Sequence, residues 1–280
     1  MPILNAVVFQ ERTDFMKKSL LLCTALSLTS TSAFADITNP FYIPERAFLT
    51  DSKIEFGRKN LDASVKAPRG KYLQDGKFVK LSEKVTYGIT GTWAVYAGAS
   101  YDWMRKKHDG SFDIHDWTVG TKINTIDEAW RVQIGGEVTR TNYEKWRGVS
   151  NDDRKDTNLY VMAGTETGAN VFFYTKFLYQ DTDYNYGRGY DNYALTGAVH
   201  LTSGKGATGD IGMTFNFDNI SHVRDRDFTL FGAGYISINN NAAVGLEADY
   251  VLSSTNSIKT AYAPSNQGSY SLGVNLKYEF

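Results

Sequence analysis

The chain has 280 residues, of which 30 are basic and 31 are acidic, so its formal net charge is -1 at pH 7. This even balance argues against a nucleic-acid-binding protein, which needs an excess of clustered positive charge. Aromatic residues make up 14% of the chain, which has 25 glycines but only 5 prolines, a composition that favours sheets over helical bundles.

A segment near the N-terminus has the layout of a secretory signal peptide. Two lysines follow Met16, a short apolar stretch runs to Leu28, and Ala33 and Ala35 form an A-x-A cleavage site. The apolar stretch is shorter than the roughly 20 residues that a membrane-spanning helix needs. We therefore predict that residues 1–35 contain a signal peptide, that the true start is Met16, and that cleavage after Ala35 follows export through the Sec pathway.

The single cysteine, Cys23, lies inside this predicted signal peptide. Leu22 precedes it where a lipoprotein signal carries a small residue, so we interpret Cys23 as part of the apolar stretch. The mature chain then contains no cysteine, which excludes disulfides and thiolate metal sites. We predict neither a metal nor a cofactor.

Residues 36–48 follow the predicted signal peptide and do not have the pattern of a strand. Asn39-Pro40 and Pro44 disfavour regular extended structure, because proline lacks a backbone donor and restricts the residue before it. We predict a short periplasmic or plug-like segment, too short to be an autotransporter passenger.

From about residue 50 onward, apolar residues recur at every second position, in blocks separated by turn residues. Between Trp93 and Trp103, apolar side chains share one face, while Asp102 and other polar or small residues share the other. A period of two is the signal of a strand with two unlike faces. The blocks predict an all-β protein of about twelve strands, near residues 49–62, 78–90, 92–105, 112–124, 129–145, 157–167, 170–182, 191–203, 208–220, 227–238, 242–255 and 267–280.

The connections between these strands fall into two alternating classes. Short turns are predicted at residues 90–91, 125–128, 168–169, 204–207 and 239–241, and longer polar links near residues 66–77, 105–111, 146–156, 183–190, 221–226 and 256–266. This arrangement resembles that of Gram-negative outer-membrane barrels, which have short periplasmic turns and longer extracellular loops. The resemblance implies that residues 49–280 form a transmembrane, antiparallel, up-and-down β-barrel with both termini on the periplasmic side.

The spacing of tryptophans agrees with a membrane-spanning strand. Trp93 and Trp103 share one face, and at about 3.3 Å per residue and a tilt near 40° they stand roughly 25 Å apart along the membrane normal. That distance matches the apolar band of a transmembrane barrel, with an indole at each interface. We predict that Trp93, Trp103 and Trp130 are interface aromatics.

The end of the chain carries a second pattern typical of outer-membrane proteins. Apolar residues alternate with polar or small ones up to a terminal aromatic residue, at Leu272, Val274, Leu276, Tyr278 and Phe280. This strand resembles the C-terminal signal of Gram-negative outer-membrane proteins. The resemblance implies that the β-barrel assembly machinery and periplasmic chaperones act on the chain. It also implies a location in the outer membrane, in contact with lipid and lipopolysaccharide.

If the apolar residues face lipid, the residues of opposite parity face the lumen. A lysine or arginine near mid-bilayer on the lipid face costs about 2–4 kcal/mol, so charged residues belong inside. Those that we expect to line the lumen are Lys122, Arg131, Glu137, Lys176, Glu247 and Asp249. The wider inward set adds Glu55, Lys84, Asp102, His200, Asp218, Lys277 and Glu279.

A lumen with both signs of charge predicts a porin-like, passive channel for small polar solutes or ions. The alternative is an occluded barrel with a structural or adhesive role, acting through its surface loops. Either could be monomeric or form a homo-oligomer.

A barrel hydrolase is the third hypothesis. Asp113 and His115 share a strand face, as do Asp181 and Asp183, and together they resemble the acid–histidine chemistry of surface barrel proteases. His200-Leu201-Thr202 is similar to the His-x-Ser of barrel phospholipases, with Thr in place of Ser. Short spacings of this kind arise by chance in a strand-rich chain, so we predict no enzyme and no catalytic residues.

Overall fold

The computed structural model describes residues 36–59, 76–106, 110–126, 130–143, 154–168, 170–184, 189–203, 206–220, 223–256 and 268–280. No helix in these ranges is long and apolar enough to cross a membrane. The strands are β1 Phe48–Lys59, β2 Gly76–Thr90, β3 Trp93–Lys106, β4 Gly110–Ile126, β5 Arg131–Tyr143, β6 Arg154–Glu166, β7 Val171–Tyr184, β8 Tyr190–Thr202, β9 Ala207–Ile220, β10 Val223–Asn239, β11 Ala242–Asn256 and β12 Tyr270–Glu279.

The strands form one closed barrel. Each strand pairs with its neighbours along the chain, and β1 pairs with β12 in antiparallel register from Leu49–Glu279 to Arg58–Tyr270. Closure leaves no unpaired strand edge, which is the condition for a sheet to exist in lipid. The predicted all-β, antiparallel barrel of twelve strands is confirmed.

Apolar and polar residues that alternate in the sequence lie on opposite faces of the barrel wall. On β3, Trp93 and Val95 are exposed on the outside, whereas Ala94 and Tyr96 are buried inside. The same alternation ends β12, where Leu272 is 55% exposed and Asn275 only 3%. An apolar exterior around a polar interior is the reverse of a soluble protein and the pattern of a transmembrane barrel.

The two ends of the barrel hold different sets of connections between strands. The end that holds the connections at residues 91–92, 167–170, 203–206 and 240–241 is called the turn end, and the opposite one the loop end. β4 begins at Gly110 and β10 at Val223, earlier than the predicted 112 and 227. Two loop-end links are therefore shorter than predicted, because polar residues such as Asp225 still pair in the ladder.

The three predicted interface tryptophans all point outward. Trp93 and Trp130 lie near the turn end, and Trp103 lies near the loop end of β3. Trp117 on β4 is also exposed on the outer face, although sequence analysis did not single it out. Aromatic side chains therefore lie near both ends of the apolar band.

Glu83 on β2 departs from the expectation that charge faces inward. Glu83 shares the outer face of β2 with Leu81 and Tyr87 and accepts a hydrogen bond from Ser52 of β1. Both side chains point away from the lumen, although the Glu83 backbone borders it. The pairing partly satisfies the carboxylate on the apolar outer surface.

Candidate functional site: the barrel lumen

The turn end of the lumen is filled by the residues that precede β1. This segment, residues 36–47, is called the plug. Ile37, Phe41, Ile43 and Pro44 are all buried, although strand β1 begins only at Phe48. An irregular segment with this much buried apolar surface must lie inside the wall.

Phe41 is the apolar anchor of the plug. Its ring is 3% exposed and meets Phe172 of β7 edge to face, with 5.2 Å between the ring centroids. Met162 of β6 packs in the same cluster, with Tyr174 at its margin. Aromatic pairs in this geometry contribute beyond the area that they bury.

Polar contacts hold the plug to opposite sides of the wall. On β4, Asn124 Nδ2 donates to the Phe41 carbonyl at 2.5 Å and Lys122 Nζ to the Tyr42 carbonyl at 3.0 Å. The Tyr42 hydroxyl donates to Glu279 of β12. Burial and this hydrogen bond to an anion both raise the pKa of Tyr42 well above its ordinary value.

A histidine between two carboxylates holds the start of the plug. His200 of β8 is 1% exposed; its Nε2 lies 3.0 Å from Asp36 Oδ2 and its Nδ1 lies 3.1 Å from Asp210 Oδ1. Both nitrogens can donate only in the imidazolium form, so the geometry fits a charged His200. Burial opposes ionisation of Asp36, but hydrogen bonds from His200 and Thr38 outweigh it and lower its pKa.

A glycine allows the plug to approach the wall at β2. Gly88 and the chain at residues 46–47 exchange backbone hydrogen bonds, of 2.9 Å from Arg46 N and 3.1 Å to the Ala47 carbonyl. A Cβ atom at Gly88 would overlap the Pro44 carbonyl oxygen. Only a residue without a side chain fits there.

Above the plug, toward the loop end, the lumen contains a cavity of about 460 Å³, called the central cavity. Its lumen-facing charged residues carry both signs: Asp51, Lys53, Glu55, Lys80, Lys84, Asp116, Glu137 and Glu247. Lys53 Nζ pairs with Glu247 at 2.8 Å and Glu55 at 3.0 Å, and Lys80 lies 3.7 Å from Asp116. The middle of the barrel is therefore polar and hollow, not filled by apolar side chains.

Tyrosines lie flat against the inner wall around this cavity. Tyr96 covers Gly120 on the next strand, where a Cβ would stand 2.4 Å from the ring, and its hydroxyl donates to Glu137 at 2.8 Å. Tyr235 covers Gly245 in the same way and donates to Glu247. The glycines keep these rings out of the centre of the lumen.

The structure places the predicted lining residues at different depths. Glu137 and Glu247 border the central cavity, and Lys122 contacts the plug. Lys176 lies over the ring of Tyr160, with Nζ 4.5 Å from the centroid.

The other two lining residues lie nearer the ends. Asp249 accepts a hydrogen bond from Ser271 at 2.8 Å. Arg131 lies at the turn end, where it pairs with Glu166 at 2.7 Å. The side chain of Asp218, in the wider inward set, is outside the described residues.

The two predicted hydrolase sites lie in different surroundings, and Asp181 and Asp183 lie on β7, three strands from His115 on β4. His115 is exposed on the outer face and stacks on Tyr101 at 4.9 Å, while His200 lies inside the barrel under the plug. The side chain of Asp113 lies outside the described residues. Within the described part of the chain, no group of three or more His, Cys, Asp or Glu is placed to hold a metal ion.

Sequence analysis missed the plug contacts. Asp36, Phe41 and Tyr42 were not singled out, and their partners lie far away in the chain. The single sequence signal was the density of apolar and aromatic residues in Phe41-Tyr42-Ile43-Pro44, unusual for a segment exposed to water.

Solved outer-membrane barrels have a similar fold. The COG4313 outer membrane channel from Pseudomonas putida F1 gives a TM-score of 0.59 at 12% identity, covering 86% of this chain and 98% of that one. NanC porin gives 0.52 at 13% identity, with coverage of 81% and 98%. The β domain of the Bordetella autotransporter BrkA gives 0.52 at 12% identity, with coverage of 84% and 100%.

The chain has the fold of an outer-membrane, porin-like β-barrel. The sequence matches no protein-family model and no curated protein. Identities this low show the fold alone, and the three proteins include a channel, a porin and an autotransporter domain. The function must be argued from the lumen.

Proposed function

We propose that this protein is a narrow outer-membrane channel through which small polar solutes or ions diffuse passively. The observation that carries the proposal is the central cavity of about 460 Å³, enclosed by the wall and lined by charged side chains of both signs. A barrel with a purely structural role has no need of a hydrated interior. Mixed charge in a water-filled lumen suits small polar solutes and excludes apolar ones.

The plug sets the size limit in this proposal. It occupies the lumen at the turn end, which would be the periplasmic side of an outer-membrane barrel with short periplasmic turns. A solute that enters from the loop end reaches the central cavity first and the plug second. We expect the channel to conduct weakly while the plug is docked.

Biogenesis is part of the same proposal. Leu272, Val274, Leu276, Tyr278 and Phe280 form an exposed apolar row on the outer face of the last strand, with exposed fractions of 44–60%. This row supports recognition by the β-barrel assembly machinery, with delivery by periplasmic chaperones. The apolar outer surface as a whole would then contact lipid and lipopolysaccharide.

An occluded barrel is the second candidate function, and the plug is the observation that favours it. Contacts on β2, β4, β7, β8 and β12 fix the plug on several sides of the lumen. If these contacts never break, the loop end is the functional surface of the protein. A monomer or a homo-oligomer is compatible with both candidates.

Current through a planar lipid bilayer tests the proposal. Protein purified from the outer membrane of an expressing Gram-negative strain should give discrete current steps. Glu137→Gln should make the current less cation-selective, because Glu137 borders the central cavity. Glu83→Gln is the matched control, since Glu83 lies on the outer face. Folded, inserted protein that gives no current would refute the channel and favour the occluded barrel.

A further inference from the structure

We infer that four lysines inside the lumen form a binding site for a small anionic solute that carries carboxylate or phosphate groups. They are Lys84, Lys122, Lys176 and Lys277, and together they are called the lysine layer. The inference deepens the proposed function, because it names the class of solute that the channel would hold. It rests on that function in one respect, namely that solutes reach the lumen.

The four side chains converge from separate strands. They lie on β2, β4, β7 and β12, each with a parity that points inward. Lys122 lies within electrostatic range of Lys84, Lys277 and the carboxylate of Asp51, and Lys176 lies within range of the carboxylate of Glu137 and of Lys84. Lys84 and Lys277 lie on either side of Asp51 in the strand register, and Lys122 lies on β4, two strands from β2, whereas Lys176 lies on β7, opposite β1 in the closed barrel.

The lysine layer lies between the plug and the central cavity. Lys84 is one of the residues that line the cavity, and Lys122 donates to the Tyr42 carbonyl of the plug at 3.0 Å. A solute in the cavity that moves toward the turn end therefore meets the lysines directly before the plug. The plug forms the floor of the site and the cavity gives access to it.

Three of the four ammonium groups rest on tyrosine rings instead of carboxylates. Lys84, Lys176 and Lys277 lie over ring faces, with Nζ at 4.5–5.3 Å from the centroids. These rings belong to Tyr96, Tyr160 and Tyr235. The contact is favourable but much weaker than a charge-assisted hydrogen bond, and it leaves the N–H donors available.

The lysines of the central cavity provide the contrast. Lys53 pairs with Glu247 at 2.8 Å, and Lys80 lies 3.7 Å from both Asp102 and Asp116. Within the described residues, no ion pair joins a member of the lysine layer to a carboxylate. Lys84 borders the same cavity as the paired lysines, so the lysine layer adjoins them on the side of the plug.

The nearest carboxylates are already engaged by other groups. Asp51 opposes both Lys84 and Lys277 in the strand register, but it accepts a hydrogen bond from Asn275 at 2.9 Å. Glu137 accepts hydrogen bonds from Tyr96 and Asn158. Both carboxylates therefore have hydrogen-bond donors other than the lysine layer.

Carboxylate and phosphate groups fit this arrangement. Each oxygen can accept from a separate ammonium group, and such charge-assisted bonds are the strong ones among protein hydrogen bonds. The central cavity of about 460 Å³ has room for the rest of a small solute. A neutral sugar would accept weaker hydrogen bonds from the lysine layer, and an ammonium cation would be repelled by it.

Isothermal titration calorimetry of the full protein, purified from the outer membrane in a non-ionic detergent at low salt, tests the site. The probes are inorganic phosphate and citrate. We expect saturable binding, and the double substitution Lys84→Met with Lys176→Met should weaken it by about tenfold or more. Lys155→Met is the matched control, because Lys155 is exposed on the outer face; it should change the affinity by less than about twofold.

Two results would overturn the inference: no saturable binding by the wild-type protein, or equal weakening by the control and the double variant. If the double variant does not fold, Lys277→Gln alone answers the same question. Binding does not require transport. A protein that binds phosphate but passes no current would support the anion site and refute the channel. A protein that conducts without binding phosphate would support the channel and refute the site.

Discussion

The two regions of the lumen differ although one wall encloses both. At the turn end, inward residues such as Ala243, Met162 and Phe172 are apolar, and the plug packs against them with little exposed surface. In the central cavity, inward residues such as Lys53 and Glu247 are charged and form an ion pair at 2.8 Å beside the open space. Close packing of apolar side chains therefore stabilises the turn end, whereas interactions between charged groups stabilise the lining of the central cavity.

This difference teaches where each kind of change should act. A closely packed region loses stability when volume is added or removed, whereas a hydrated charged region tolerates changes of volume and responds to changes of charge. The turn end should therefore be sensitive to substitutions that alter docking of the plug, and the central cavity to those that alter ion selectivity.

The largest expected effect comes from Gly88. Because a side chain there would overlap the Pro44 carbonyl, Gly88→Val should expel the plug, and the single-channel conductance should rise by roughly threefold or more as the turn end widens. Limited proteolysis should now cut within residues 36–47. Gly234→Val is the control, since nothing lies within 4 Å of its added Cβ. Unchanged conductance and proteolysis in a folded Gly88→Val barrel would show that the plug does not close this end.

Phe41→Ala should have the next largest effect. Removal of a buried aromatic side chain costs about 3 kcal/mol, so the docking equilibrium of the plug should weaken on the order of 100-fold. Hydrogen exchange at the Tyr42 amide, which donates to Asn39, reports this change. Phe173→Ala is the matched control, because Phe173 neighbours Phe172 but is 47% exposed on the outer face. Similar exchange in both variants would contradict a packed turn end.

Acid should loosen the plug through Asp36. The pKa of Asp36 in the folded protein lies below its ordinary value of 3.8, so its contribution is complete above that pH and is lost as the pH falls through the folded pKa. A hydrogen bond to a charged group contributes about 1.5 kcal/mol, or roughly tenfold in docking. Hydrogen exchange of the plug between pH 6 and pH 2.5 should show this extra dependence in the wild type and not in Asp36→Asn. If the wild type and Asp36→Asn have the same dependence on pH, the contact between Asp36 and His200 does not contribute to docking of the plug.

The smallest effect on docking should come from Lys53→Met in the central cavity. The plug should stay docked and barrel stability should fall by about 1 kcal/mol or less. The reversal potential in a salt gradient should move toward cation selectivity, because Glu55 and Glu247 lose their cation. Lys155→Met, on the exposed outer face, should leave it unchanged. If Lys53→Met changes docking of the plug but not ion selectivity, the two regions do not differ in the way described above.

The wall was predictable from the sequence because period-two alternation is a local property. Within three residues, the alternation shows that Trp93 and Val95 face outward and Ala94 faces inward. Repeated blocks of this kind predicted the twelve strands. Strand ends were less accurate at the loop end, as at Val223, because polar residues that leave the bilayer can either pair or turn without a change of pattern.

The interior was less predictable because it depends on contacts between distant residues. His200 was expected to face inward, but its contact with Asp36 joins residues that lie 164 positions apart. Parity also placed Lys84, Lys176 and Lys277 in the lumen without showing that they approach each other. That convergence depends on the strand register and the closure of the barrel, and no single strand encodes either.

The sequence separations in the plug contacts also fix an order of events in folding. Thr38 contacts Thr208 across 170 positions, and Tyr42 contacts Glu279 across 237. Such contacts repay their entropic cost only after the hairpins between them exist, and Glu279 reaches its place only when β12 meets β1. Protection of the plug amides should therefore appear after the barrel acquires its resistance to detergent unfolding, which time-resolved hydrogen exchange can measure. The first residues of the plug would be the last to form their contacts. Docking of the N-terminal segment would therefore indicate that the barrel has closed.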